Sequence, residues 1–496
     1  MDIIRIEKFI VIEHRQNKGV TMKTRLHKII AYTISLAIII STFSSCSQME
    51  DPLDPDKPIT ISVWHYYNGS VKNRFDSLVN QFNETVGMES GVVVDAQSYG
   101  DVNELADAVY NAASNSIGAQ PLPDIFAAYP DNAYRVSKII ELVSLEDYFT
   151  EKELGEIRLD FLQEGSFGDD EMQKILPIAK STENLYLNKT YWDEFANETG
   201  ADIKDLSTWE GIRRIAELYY NHTGKAFFCI DANANFMLVA SKQLGKELYT
   251  YQGNKAELNL AEEDAYKIWE CYYEPYIKGY FAKTGRFSSD DAKTGKILAY
   301  TGSTAGASYF PVEITEEGKT VPVEVQTFPY PHFKDGEPYA VQQGAGMCIA
   351  KSDEAHEYGS ALFLKWFIEE PQNVQFAVST AYFPVKDASL DEELLLNEVN
   401  KSDVSIEAIK KSIITTMGML NDYTLYGSRP FEGSYDMRSL LEKHLFNYVQ
   451  EDLELLEERV LSGEDRDITI QALISKDNFR KWYNEFTAEA TKILSK

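Results

Sequence analysis

Ile59-Thr-Ile-Ser-Val-Trp-His65, then residues 70–82, Gly91-Val-Val-Val-Asp-Ala96 and Asp124-Ile-Phe-Ala-Ala-Tyr129 form the stretch whose reading decides the fold. The first segment is β-branched and alternating, so it predicts a strand. Val71, Phe75, Leu78, Val79 and Phe82 follow at helical spacing. Residues 91–96 predict a second strand. A helix follows from Asp101, its candidate N-cap, with Leu105, Ala108, Val109 and Ala112 on one face. Residues 124–129 predict a third strand and 133–142 another helix. Strand–helix–strand alternation implies crossover units and a parallel sheet, hence an α/β fold. Ligands on such sheets collect at the carboxyl ends of the strands. That rule directs attention to residues 65–69, 98–101 and 129–132.

Further along, the alternation loosens. Residues 174–180 predict a short strand that 184–187 continue, with the polar Ser181-Thr-Glu183 between them. Helical patterns dominate 192–278. Residues 296–300 predict a strand ending in Thr301-Gly-Ser-Thr-Ala-Gly306; 321–328 and 345–350 predict two more. Residues 354–369 are amphipathic, and 439–460 form a long helical pattern. There is no internal repeat.

The chain has 496 residues, enough for more than one folding unit. With 48 Lys plus Arg against 78 Asp plus Glu, its formal charge is −30, which argues against a nucleic-acid partner. The first 45 residues differ: seven are basic and three acidic, a net +4 that leaves −34 for the remainder. Met22-Lys-Thr-Arg-Leu-His-Lys reads as the positive start of a signal peptide, with residues 1–21 an over-extended reading frame. Residues 29–40 form an apolar run too short for a comfortable membrane span. Phe43-Ser-Ser-Cys46 resembles the lipobox of bacterial lipoproteins, which implies lipidation of Cys46 and anchorage on the outer face of the membrane. Residues 1–45 are therefore expected to be a signal peptide. Residues 46–58, polar and with three prolines, are expected to be a tether outside any core.

Cys229, Cys271 and Cys348 remain. Their odd number and the lack of a Cys-x-x-Cys pair argue against a disulfide framework or a thiolate metal site, so they are expected to be buried small apolar residues. No His-Glu-x-x-His pattern supports a catalytic zinc. No metal and no cofactor is expected.

Seven segments in register, from about residue 59 to 440, resemble one family: the extracellular solute-binding lipoproteins of carbohydrate and glycerol-3-phosphate-type ABC importers. They are residues 61–69, Pro123-Asp-Ile-Phe126, 176–189, Ser207-Thr-Trp-Glu210, 295–306, 344–350 with 361–367, and Ala381-Tyr-Phe-Pro-Val385. Ser303-Thr304 departs from the family, many of whose sugar binders carry an aromatic after Gly-Pro, and Gln342-Gln343 stands where a second glycine is common. The resemblance implies a periplasmic-binding-protein-like fold of type II, two α/β lobes joined by hinge strands. Chain order then assigns 57–178 plus 325–378 to the first lobe and 179–324 plus 379–496 to the second.

A cleft for a polar solute needs flat apolar surfaces for sugar faces and polar groups for hydroxyls. The strand ends offer Tyr66, Tyr67, Tyr99, Asp101, Tyr129 and Asp131. Ser181, Thr182 and Glu183 interrupt an apolar strand and need partners there. Ser303 and Thr304 lie between Gly302 and Gly306, where backbone can approach a ligand; Gln343-Gly344 repeats the logic. Tyr382 lies in the late hinge segment, and Arg429 is the candidate for a phosphate or carboxylate. The expected function is non-enzymatic capture of a small solute, an oligosaccharide, by a monomer that delivers it to the permease subunits of an ABC importer. The alternatives are a glycerol-phosphate ligand, an anchored glycan-active enzyme using Glu183 and Asp131, and a solute sensor.

Overall fold

The computed structural model describes residues 52–168, 171–316, 318–401 and 407–495. The chain divides into two units, Met1–Pro52 and Leu53–Lys496. The expected signal peptide, the lipidation at Cys46 and the first residues of the tether lie outside the described residues.

In chain order, the elements that position the site are β1 (Ile59–His65), α1 (Gly69–Glu84), β2 (Val92–Ser98), α2 (Val102–Ala113), β3 (Ile125–Ala128), α3 (Pro130–Ser137), β4 (Glu183–Asn188), β5 (Phe228–Ile230), α4 (Asn233–Gln243), β6 (Ala299–Ser303), β7 (Val325–Phe328), β8 (Gly346–Ile349), α5 (Glu354–Phe367) and α6 (Ser434–Leu461). The strands form two four-stranded sheets, ordered β8-β3-β1-β2 and β7-β4-β6-β5. In the first, β1 is parallel to β2 and β3 and the return strand β8 is antiparallel to β3. In the second, β4 is antiparallel to both neighbours and β5 is parallel to β6. The result is an α/β protein of two lobes, each sheet with its own core.

Phe75, Leu78, Val79 and Phe82 of α1 are buried, as the spacing predicts. Burial of such side chains stabilises the fold by about 1.5–3 kcal/mol each. Asp101 caps α2, accepting from the backbone N–H of Asn103 and Glu104. Cys229, Cys271 and Cys348 are buried free thiols.

Several expectations need correction. The helix expected over 133–142 is α3, which stops at Ser137, and Leu142 instead bridges Ala350. The strand expected over 296–300 lies three residues later as β6. The strand expected over 321–328 splits into Lys319–Pro322 and β7; β7 pairs with β4 in the second sheet, although chain order assigns it to the first lobe. The helical region 192–278 is interrupted by β5 and a hairpin of Tyr249–Gln252 and Lys255–Leu258. The tether ends before residue 58: Leu53, apolar in a polar stretch, is buried in the first core. Gly91 faces the adjoining backbone, where an added Cβ would come within 2.5 Å of the Asp54 carbonyl.

Three segments lie side by side between the sheets. Lys180 exchanges backbone hydrogen bonds with Phe383, and Ser181 exchanges them with Gln343. Gly344 has φ +98°, and a Cβ there would sit 2.5 Å from the Ala179 carbonyl oxygen. Only glycine lets these segments approach so closely.

Candidate functional site

β1 ends at His65, and Gly69 opens α1 with φ +54°, a conformation open to glycine. Tyr66 and Tyr67 occupy the turn between them. They face a cleft of about 550 Å³ between the ends of the two sheets, a size suited to small ligands. One side is a tyrosine wall of Tyr66, Tyr67, Tyr129 and Tyr382. The Tyr67 ring centroid lies 4.9 Å from Tyr66, 5.4 Å from Phe376 and 6.3 Å from Tyr382. Tyr66 and Tyr382 are hydrogen-bonded through their hydroxyls, and the Ala345 N–H donates to Tyr66 at 3.4 Å. Burial pushes all four phenols up from their ordinary range, so they stay neutral.

The opposite side is polar. Asp231, just past β5, accepts from the Ser288 N–H and hydroxyl, both at 2.8 Å, and lies 3.9 Å from Lys283. The short helix Ser288–Lys293 contributes Ser289, Asp290 and the exposed Lys293, the last two 3.8 Å apart. β6 and its following turn add Tyr300, Ser303 and Tyr309. Two carboxylates are thus balanced by two ammonium groups, which suits a neutral polyhydroxylated ligand.

The cleft gathers Tyr66, Tyr67, Tyr129, Ser181, Ser303, Gln343 and Tyr382 from the expected set. Others have different surroundings. Tyr99 packs on Trp64, with ring centroids 5.0 Å apart. Asp101 caps α2 and pairs with Arg286. The Thr182 hydroxyl donates to the Val341 carbonyl at 2.7 Å, and the Thr304 N–H donates to the Thr182 carbonyl at 2.8 Å. Gly344 is held against Ala179 and Lys180. Asp131 and Arg429 border a space of about 60 Å³ beyond Tyr129, and Arg429 also borders an adjoining space of about 520 Å³ with Glu164, Gln342 and Tyr426; neither residue lines the tyrosine-walled cleft. Arg429 is exposed, with its guanidinium 6.0 Å from the Tyr251 ring.

Glu183 is fully buried, its Oε1 accepting from the Asn235 amide at 2.7 Å and from the Gln343 amide at 2.9 Å. Burial pushes its carboxyl up to about 8 despite the Asn235 hydrogen bond, with Asp231 and Glu442 adding to the rise and Arg438 opposing it. The acid is therefore protonated at neutral pH.

The strand-end rule points at 65–69 and so at Asn68, but sequence reasoning missed Val71, Asp231, Phe287, Ser289, Asp290, Lys293, Tyr300 and Tyr309. Asp231 follows a strand end, and the rule that sent attention to the first sheet's strand ends would have found it had β5 been recognised. Ser288–Lys293 carries no such signal. Among the described residues, no group of His, Cys, Asp and Glu could hold a metal ion, and no helix is long and apolar enough to cross a membrane.

Two sheets joined by crossing segments over a polar cleft define a type II periplasmic-binding-protein-like fold. The sequence matches the family described as bacterial extracellular solute-binding protein over residues 77–403. The chain belongs to that family, whose members act outside the cytoplasm. No curated protein sequence matches it. Among solved structures, it is similar to the cyclic α-maltosyl-1,6-maltose binding protein of Arthrobacter globiformis, with 18% identity and TM-score 0.60 over 87% of this chain and 99% of that one. UgpB from Mycobacterium tuberculosis, in complex with glycerophosphocholine, gives 19% and 0.59 over 82% and 99%. Maltose-bound MalE3 of T. maritima gives 15% and 0.59 over 85% and 99%.

Proposed function

We propose that this protein captures a neutral oligosaccharide in the cleft and delivers it to the permease subunits of an ABC importer, without chemical change to the solute. The observation that carries this reading is the pairing of a neutral tyrosine wall with a charge-balanced polar wall. Rings cover the apolar faces of sugars, while hydroxyl, amide and carboxylate groups meet their edges. The maltose- and maltosyl-binding relatives support a saccharide. The glycerophosphocholine complex is the specific observation for a second ligand class, but Arg429, the cation expected to serve a phosphate, does not line the cleft.

The lobes are proposed to exchange partners at the crossing segments 180–183, 341–344 and 381–385, so that closure is a hinge motion there. A lipid on Cys46 would hold the monomer at the outer membrane face, near its importer. Labelled palmitate should enter the wild type and not Cys46→Ala; an unlabelled wild type contradicts the anchor.

The function is tested by a thermal-shift screen over neutral oligosaccharides, glycerol phosphates and amino sugars. A ligand at a hundred times its dissociation constant adds about 2.7 kcal/mol of stability. A neutral di- or oligosaccharide is the expected hit. A response to phosphates alone overturns the ligand class, and turnover of the saccharide at stoichiometric protein overturns the binding role.

A further inference from the structure

An ordered chain of polar side chains leads to the cleft from Arg438, which borders the space beyond Tyr129. Arg438 of α6 donates from Nη2 to Asn235 Oδ1 at 3.1 Å. A guanidinium only donates, so the Asn235 amide is turned with its oxygen toward Arg438 and its NH2 away. That NH2 donates to Glu183 Oε1 at 2.7 Å. The same oxygen accepts from Gln343 Nε2 at 2.9 Å. Gln343 spends its backbone N–H and carbonyl on Ser181. Its Nε2 faces Glu183, so its remaining polar atom is Oε1, which is buried and has no hydrogen-bond partner. Gln343 lines the cleft.

We infer that Gln343 is a specificity-determining residue whose side-chain oxygen accepts a hydrogen bond from a ligand hydroxyl, with Glu183, Asn235 and Arg438 as positioning residues that fix the direction of its amide. The inference rests on the saccharide reading and deepens it: the ligand must present a donor at this point. An ether, methoxy or deoxy position leaves the buried oxygen unpaired. A site built to bond a hydroxyl rejects the analogue lacking it more strongly than an apolar pocket rejects an added group. Glu183 is fully buried and does not line the cleft. Its buried oxygen holds two amides at once, and so transmits the orientation set at Arg438 to the cleft.

The test uses the full chain and titration calorimetry. Maltotriose, cellotriose and mannotriose are titrated first, and the tightest binder is then compared with its monodeoxy analogues. In the wild type, one deoxy position should bind about 10- to 100-fold more weakly than the parent. Gln343→Leu should weaken the parent by a similar factor and remove that discrimination. Glu183→Leu should reduce the discrimination, because Gln343 loses the partner that orients it. Glu183→Gln keeps an acceptor oxygen for both amides and should retain it. A purely structural role for Glu183 would alter melting temperature without altering the preference among deoxy analogues. Gln343→Leu that binds the parent with wild-type affinity, or that keeps wild-type discrimination, overturns the inference and leaves the saccharide reading standing. A wild type that binds none of the three sugars overturns both.

Discussion

The two walls of the cleft are built from different materials. The tyrosine wall is part of the first core: Tyr67 and Tyr382 are buried, and Tyr67 packs on His65, Phe75 and Phe376 as well as on its neighbours in the wall. The polar wall rests on a six-residue helix and a strand end, with Phe287, Lys293 and Tyr309 exposed. The first wall is a preformed platform, so it offers area at little ordering cost. The second offers groups whose charge and hydrogen bonding distinguish one solute from another. Stability and binding are therefore coupled on one wall and separable on the other.

The strongest way to break this contrast is Tyr67→Ala. It should destabilise the fold by about 3–5 kcal/mol, the cost of deleting a buried aromatic ring, and abolish binding; denaturant unfolding and calorimetry check both. Retained stability would show that the wall is not part of the core. The next effect is pH dependence from Glu183. The unfolded chain releases this proton near its ordinary value of 4.5 and the folded chain near 8. Between those values the folded state holds one more proton, so this group's contribution to stability falls as pH rises from 4.5 to 8 and is level above. Glu183→Gln should lose that slope, a difference of a few kcal/mol read by unfolding at pH 5 and pH 8. Equal slopes in the two proteins would place the proton elsewhere.

On the polar wall, Asp290→Asn should shift stability by less than about 0.5 kcal/mol and weaken saccharide binding about 10-fold. A large loss of stability would erase the contrast between the walls. The smallest effect is expected of Arg429→Ala, which should leave both affinity and melting temperature at wild-type values; a marked loss of affinity would move the site toward Tyr426–Pro430.

Much of the fold was legible because β1, α1 and α2 carry periods of two and 3.6, because β2 opens on a run of valines, and because the rule for strand ends points at Tyr66, Tyr67 and Tyr129 without knowledge of the tertiary structure. The limits have physical causes. Ser181, Thr182 and Glu183 advertise a need for partners, but a polar residue in an apolar run does not say whether its partner is solute or protein, and the glycines around Thr304 do not say what approaches its backbone. Thr182 and Thr304 serve the crossing segments, and Glu183 serves Asn235 and Gln343. Arg429 is a cation on a loop, and only tertiary placement puts it beyond Tyr129 rather than in the cleft. Ser288–Lys293 was not legible, since a six-residue helix has no periodicity to show, and it is tied to the site by the hydrogen bonds of Ser288 to Asp231.

The central claim is that a saccharide lies flat on the tyrosine wall with its hydroxyls toward the polar wall. A crystal structure of the full chain with the tightest-binding neutral oligosaccharide tests it most directly. A sugar ring against Tyr66 or Tyr129, with hydroxyls on Asp290, Ser303 and Gln343, is the predicted result. A ligand seated instead between Asp131 and Arg429, with the tyrosine wall uncovered, would contradict it.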